Sequence, residues 1–409
     1  VGARGNRRRS GVSETSNGDN QFRVSSLTRT VYLPGILFAI GQGAATPVIA
    51  LVALDLGASP AVAGAIVALR GIGTLFFDLP AGQLVARVGE RWAMLIATAG
   101  LGVVALGIGL GPSLPVFAVL VFLMGGAWAI WALARLAYAT EATPLRHRGR
   151  VMSMVGGTMR IGQFIGPLVG GLLIIPFGLV APFFMQAALA VAAAVTLGLA
   201  PEPSRAETVA TVPVSMRQVI REHRRILGTA GLVAVTFQVL RTARQAVIPL
   251  WGDQLGLTPS QISLVFGASS GIEMLIFYPV GMLMDSKGRK WVAVPSLILL
   301  SLGMALIPLT TDFASLFLVS LLLGLANGLG SGVNLTLGSD LSPVSGRSQF
   351  FGLWRLVSDM GTAGGPLLVA AVTSLVSLGA ASIAVAGVGL IGAGVLWRRV
   401  PETLRVDLE

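Results

Sequence analysis

Apolar residues run almost unbroken for about 20 positions at a time along this chain, separated by short polar segments, and the pattern repeats from about residue 31 to residue 397. A run of that length, at about 1.5 Å per residue of helix, crosses a hydrocarbon core of roughly 30 Å. Glycine and proline inside the runs are no objection, because neighbouring helices in a bilayer accommodate both. The runs predict helices 1 to 6 over 31–54, 60–84, 93–110, 115–139, 149–174 and 178–199, and helices 7 to 12 over 226–250, 259–283, 291–309, 314–338, 348–372 and 376–397. Residues 1–30 are polar and basic and are expected to form a disordered tail. The link 200–225 begins Pro-rich and turns basic at Arg217, Arg221, Arg224 and Arg225, which suggests a short helix along the membrane surface. Residues 398–409 form a second tail, and the expected fold is all-α with twelve transmembrane helices.

The two sets of six are copies. Gly82 to Arg91 reads G-Q-L-V-A-R-V-G-E-R, and Gly281 to Lys290 reads G-M-L-M-D-S-K-G-R-K. Around them Pro60, Pro80, Gly82, Leu84, Gly89 and Trp92 recur 199 residues later as Pro259, Pro279, Gly281, Leu283, Gly288 and Trp291. The same offset carries Glu141, Pro144 and Arg148 onto Asp340, Pro343 and Arg347, and Gly162, Gly166 and Pro167 onto Gly361, Gly365 and Pro366. One offset through three separate motifs describes a parallel duplication, with six-helix bundles over 31–199 and 226–397.

These motifs carry a family resemblance. The loop from Gly281 to Lys290 resembles the inter-helix signature of the major facilitator superfamily, G-x-L-x-D-R-x-G-R-R/K. Helix 5 contains Gly162-Gln163-Phe164-Ile165-Gly166-Pro167-Leu168-Val169-Gly170-Gly171, similar to the G-x-x-x-G-P-x-x-G-G pattern of that superfamily's drug:proton antiporters. Over roughly residues 30 to 400 the resemblance implies the major facilitator fold, two halves related by a pseudo-twofold duplication, and export rather than uptake. In physical terms Gly162, Gly166 and Gly170 leave a bare stripe for close helix packing, and Pro167 permits a bend.

The resemblance also implies a cytoplasmic gate in which the signature acid latches its loop to a helix end of the other half. Its residues would be Gly82, Arg87, Gly89 and Arg91 in the first copy, and Gly281, Asp285, Gly288, Arg289 and Lys290 in the second. The first copy departs from the pattern, with Ala86 where the acid belongs and Glu90 where a base belongs. A latch is therefore expected mainly through Asp285, on the seam of helices 5 and 8. A purely topological role for these charges is the alternative.

Composition and charge narrow the class. Hydrophobic residues make up 54% of the 409 and charged residues 11%, outside the range of soluble domains. A net charge of +11 could suggest nucleic acid, but Lys and Arg concentrate in the termini and in alternate loops, while the loops near Asp55, Ser113, Pro176, Asp253, Asp312 and Ser374 hold none. That one-sided pattern predicts a multi-pass protein of the plasma (inner) membrane with both termini cytoplasmic, not a nucleic-acid binder. Arg7, Arg8 and Arg9 resemble a twin-arginine signal only superficially, because polar sequence continues to about Thr30. There is no cysteine, and His147 and His223 both fall in charged loops, so neither a metal site nor a cofactor is expected. Without a P-loop lysine motif or an intramembrane catalytic constellation, neither an ATPase nor another enzyme is expected.

Charges inside the membrane are the remaining signal, since each unpaired one costs about 2.5 to 3.5 kcal/mol at the bilayer centre. Arg160 and Glu273 each lie ten residues from the cytoplasmic end of their helices, about 15 Å deep. The resemblance sets helix 5 against helix 8, so an Arg160–Glu273 pair is expected, with Arg70 and Asp359 as a second pair at the other seam. Asp78 is a third carboxylate, solvated or paired with Arg135. Such pairs fit either proton coupling between moving halves or static alignment.

By resemblance helices 1, 4, 7 and 10 line a central cavity. Gln42 on helix 1, the stripes Trp128, Trp131 and Arg135, then Gln238, Arg241 and Gln245, and finally Asn327, Ser331 and Asn334 are its candidate lining, with interhelical hydrogen bonding the alternative. Arg135, Arg244 and Arg355 could instead snorkel to water. Helix 4 has no clear R-x-x-x-G before Gly125, and helix 1 has no interior acid. The expectation is a monomeric secondary transporter in the lipid bilayer that exports a small amphiphilic, neutral or anionic organic compound in exchange for H+. A uniporter or uptake symporter, and a non-transporting membrane sensor, are the alternatives.

Overall fold

The computed structural model describes residues 24–144, 147–199, 216–343 and 347–403. The expected tail over 1–23, the Pro-rich part of the link and residues 404–409 lie outside the described residues. Among the described residues twelve helices long and apolar enough to cross a membrane follow in order: α1 (Thr28–Asp55), α2 (Pro60–Val88), α3 (Glu90–Gly109), α4 (Leu114–Glu141), α5 (Arg148–Phe177) and α6 (Ala181–Gly198) form the first half. The second half is α7 (Met216–Gln254), α8 (Pro259–Lys287), α9 (Lys290–Leu309), α10 (Phe313–Asp340), α11 (Arg347–Leu375) and α12 (Leu378–Arg399).

Two ends extend beyond expectation. Helical structure starts at Val24 rather than after residue 30, as a 3-10 turn running into α1. The basic segment after Met216 is no separate surface helix but the first turns of α7, 39 residues long. Nothing between 216 and 226 breaks a helix, and Gln218 donates to Glu222 one turn on at 2.9 Å, so the helix continues past the end of its apolar run.

Short turns fix the hairpins. Gly89 (φ +83°) and Gly288 (φ +105°) end α2 and α8 in a backbone region that favours glycine, which explains their recurrence at one offset. At the opposite face Ser59, Thr258 and Ser377 cap α2, α8 and α12 through their hydroxyls. Within the first half α1 packs on α5 and α6, α2 on α4, and α3 on α4 and α6; the second half repeats this with α7 on α11 and α12, α8 on α10, and α9 on α10 and α12. The halves meet along two seams, α2 against α11 and α5 against α8. Exposed large apolar side chains such as Val103, Val191, Leu318 and Ile391 cover the outside, as a lipid-facing surface requires.

The antiporter-like stripe of α5 faces α1. A Cβ at Gly162 would lie 2.2 Å from Ala39 Cβ, at Gly166 2.4 Å from Ile40 O, and at Gly170 2.9 Å from Ala44 Cβ. Gly171 faces the other way, onto Ser263 of α8. The α2/α11 seam is tight where Gly64 meets Ala370 and Gly71 meets Ala363 and Thr362. A Cβ added at Gly156 or Gly157 of α5, or at Gly352 of α11, would meet nothing within 4 Å.

Candidate functional site

On the α5/α8 seam the structure brings Arg160 to Glu273, Nη1 to Oε1 at 3.2 Å, with Glu273 buried. The pair belongs to a larger cluster. Arg244 of α7 reaches Oε2 of the same carboxylate at 3.5 Å, and Asn327 of α10 donates its amide to that oxygen. Arg241 donates from Nε to Asn327 Oδ1 at 2.7 Å and from Nη2 to the Gly330 carbonyl at 2.8 Å. Arg160 also donates to Ser331 Oγ and lies over the Phe277 ring, 3.9 Å from its centre. Residues expected as coupling groups and residues expected as cavity lining thus form one assembly. Arg244 does not snorkel; it is buried in that assembly.

The assembly is built around a break in α10 that the apolar pattern did not reveal. The helix stops at Leu329 and resumes at Val333, with Gly332 left-handed at φ +84°. Asn327-Gly328-Leu329-Gly330-Ser331-Gly332 holds three glycines in five positions, the signal that would have found it. A loosened turn inside a membrane needs partners for its carbonyls, and the Arg241 guanidinium supplies one at Gly330. Gly324 and Gly328, one turn apart, let α10 lie against Ser269 and Glu273 of α8. Gly332→Ala should destabilise the protein by about 1 to 2 kcal/mol, the usual penalty for a left-handed non-glycine residue. Thermal unfolding of the purified variant checks this, and an unchanged Tm would mean the turn is not held in that conformation.

The second expected pair does not form. Arg70 donates instead to Thr46 Oγ1 at 2.9 Å and Gln42 Oε1 at 2.8 Å, both on α1. At the α2/α11 seam Arg355 spans two carboxylates, Asp78 at 2.9 Å and Asp359 at 3.4 Å. Asp359 sits one turn beyond Arg355 on the same helix, so the guanidinium next to it is the easier partner to reach. The other oxygen of Asp78 is buried without a hydrogen-bond partner. Asp78 is therefore paired with Arg355 and not with Arg135, and Arg355 is engaged rather than snorkelling.

Several cavity candidates turn out to be packing or tie residues. Trp131 is buried and stacked on Phe38 at 4.0 Å, and Trp128 leans on both rings. Arg135 is buried too, donating to Val31 O and Thr158 Oγ1, with Gly35 leaving room for its guanidinium. Helical spacing put these three on one face, but that face of α4 turns towards α1 and α5. Gln238 ties α7 to Thr362 of α11 at 3.2 Å, and Asn334 ties α10 to Ser358 and Trp354 of α11. Gln245 is half-buried.

The expected latch is disengaged. The Asp285 side chain is 77% exposed, and its ion pair is with Arg289 of its own loop at 3.9 Å. Arg289 pairs with Asp340 at 2.9 Å, and Lys290 donates to Trp397 O at 3.2 Å; in the first half Arg91 donates to Leu197 O and Gly198 O. These bases hold helix ends within their own half, where last-turn carbonyls favour cations. Glu402 accepts from the backbone N–H groups of Arg289 and Lys290, at 2.8 and 3.0 Å, filling the start of α9. Gly82 and Gly281 stand nearly clear of neighbours, and Arg87 is exposed.

Twelve membrane-crossing helices in two matching halves, with buried charges concentrated where the halves meet, define a multi-pass membrane transporter rather than an enzyme. The profile of the Major Facilitator Superfamily matches residues 31–244 and again 230–408, and the chain belongs to that superfamily. Among its relatives, Multidrug resistance protein 2 of Bacillus subtilis is 26% identical over 343 residues, covering 80% of this chain and 84% of that one. Multidrug resistance protein MdtG of Escherichia coli is 26% identical over 341 residues, covering 78% and 81%. The crystal structure of a D-xylose-proton symporter, 17% identical, superposes with a TM-score of 0.72 over 93% of this chain and 98% of that one, which shows the shared fold.

Proposed function

We propose that this transporter exports a small organic compound in exchange for protons by alternating access, from a plasma membrane in which both termini are cytoplasmic. The observation that carries this is the buried Glu273 carboxylate, which joins the two halves through Arg160 at 3.2 Å and is shared with Arg244. A proton on Glu273 removes its attraction to both guanidiniums and frees the α5/α8 seam to move; loss of the proton restores the hold. The α2/α11 seam carries the opposite imbalance, two carboxylates on the one guanidinium of Arg355, and a proton there relieves the repulsion between them. Export is supported by the multidrug resistance relatives and by the Gly162 to Gly171 stripe. The one-sided distribution of Lys and Arg supports the orientation. Both halves of the site come from one chain, which supports a monomeric unit.

The test is efflux of a compound panel from proteoliposomes under an imposed pH gradient. Equal flux with and without the gradient would favour a uniporter, and no flux for any compound would sink the transporter's proposed role in export. Asp359→Asn leaves a one-to-one pair on Arg355 and mimics the protonated seam. Its gradient-driven efflux should fall towards the ungradiented rate while substrate exchange at equal pH persists. Wild-type gradient dependence in this variant would leave Glu273 as the sole coupling carboxylate.

A further inference from the structure

Once Glu273 is assigned to Arg160 and Arg244, and Asp78 and Asp359 to Arg355, Arg70 is left without an acid. No ion pair among the described residues includes it. Its two terminal nitrogens are held by neutral acceptors, Thr46 Oγ1 and Gln42 Oε1, in the middle of α1 where the helix tightens to a 3-10 turn over Thr46–Val48. Neutral acceptors position a guanidinium but do not neutralise it, and an uncompensated charge at this depth is costly unless something else answers it.

A second observation points to what answers it. Gln42 is only 4% exposed, and because its amide oxygen faces Arg70, its amide nitrogen is a donor; that nitrogen is buried with no partner. The guanidinium of half-buried Arg70 and an unmatched N–H2 group on an adjacent side chain present donors alone, which is the complement of a planar, two-oxygen anion. The place suits a transported ligand, because the Thr46–Val48 turn packs against α7 and α8 of the other half, so an occupant is sensed at the surface that must move. In the duplicated half the position of Gln42 is taken by Arg241, so a guanidinium stands there where the first half has an amide.

We propose that Arg70 and Gln42 form an anion subsite that takes the carboxylate of an amphiphilic organic acid. This deepens the exporter proposal by naming its substrate class, and rests on it for the direction of transport. The probe is 2-naphthoate, with 2-naphthamide as its uncharged match and naphthalene-2-sulfonate as a differently shaped anion, titrated against the purified full chain and read by ligand-induced change in Tm. Wild type should bind naphthoate in preference to both. Arg70→Gln should weaken naphthoate by about tenfold or more, the worth of one charge-assisted hydrogen bond, and leave naphthamide unchanged. Gln42→Glu covers the case in which Arg70→Gln does not fold: it places a carboxylate beside the guanidinium, so the unliganded protein should be at least as stable as wild type while naphthoate binding is lost. Equal binding of naphthoate and naphthamide by wild type, or wild-type naphthoate binding by Gln42→Glu, would overturn the subsite. Gradient-driven efflux of the compound panel by the same proteins separates the two proposals. Efflux without carboxylate preference overturns the subsite and leaves the exporter, whereas carboxylate-selective binding lost in Gln42→Glu upholds the subsite even where no compound is exported.

Discussion

Glu273→Gln should abolish proton-driven flux and lower stability by about 3 kcal/mol or more, the range seen when one partner is removed from a buried ion pair. The side chain is 11% exposed, so water does little to screen the two guanidiniums it serves. Glutamine keeps the shape but turns one oxygen into an N–H2 group, which must face the donors of Arg160, Arg244 or Asn327. Arg160 and Arg244, each already with a buried Nε that lacks a partner, then stand close together without an anion between them. Arg160→Gln combined with Glu273→Gln should recover part of the lost stability, because one stranded charge is gone, but none of the proton dependence. Thermal unfolding of the two single variants and the double variant, with pH-gradient flux on each, checks both parts. Normal gradient-driven flux in Glu273→Gln would exclude this carboxylate as a coupling group.

Gly166→Val should prevent correct assembly of the first half. The Cβ it adds would lie 2.4 Å from Ile40 O, 2.7 Å from Ala44 N and 2.8 Å from Gly43 Cα. All three are backbone atoms, so no rotamer change relieves the contact and α1 must move off α5 bodily. Overpacking usually costs about 1 to 3 kcal/mol where side chains can adjust, and a rigid helix interface lies at or beyond the top of that range. Gly156→Val on the same helix is the control, since its Cβ would meet nothing within 4 Å. The expected result is a large loss of monodisperse protein for Gly166→Val and near wild-type yield for Gly156→Val. Equal yields would mean that α1 and α5 do not approach this closely.

The two effects differ in how far the sequence announced them. The α5 glycine stripe was visible as spacing, but which helix it meets was not: α1, rather than the moving seam, takes Gly162, Gly166 and Gly170. The Arg160–Glu273 pair was visible because depth in a membrane is a simple count of residues from a helix end, so two charges at one depth on facing helices have few other partners. The same count failed for Arg70 and Asp359. Depth does not encode rotation about the helix axis, and rotation turned Arg70 towards α1 while Arg355, one turn from Asp359, reached its carboxylate first. The Asp285 latch is disengaged for another reason: the sequence is common to every conformation, and in this one Asp285 is exposed and paired within its own loop.

By itself the sequence determined the twelve spans, the duplication at one offset, the superfamily and the excess of buried arginine over acid. Length, hydropathy and repeat spacing are properties of one dimension, and a bilayer converts them directly into helix number. Only the tertiary structure decided which arginine answers which carboxylate, where α10 breaks, and that Arg70 is left with an unmatched Gln42 amide at its side. Those outcomes depend on helix rotation and on contacts between residues far apart in sequence, for which a linear pattern carries no coordinate.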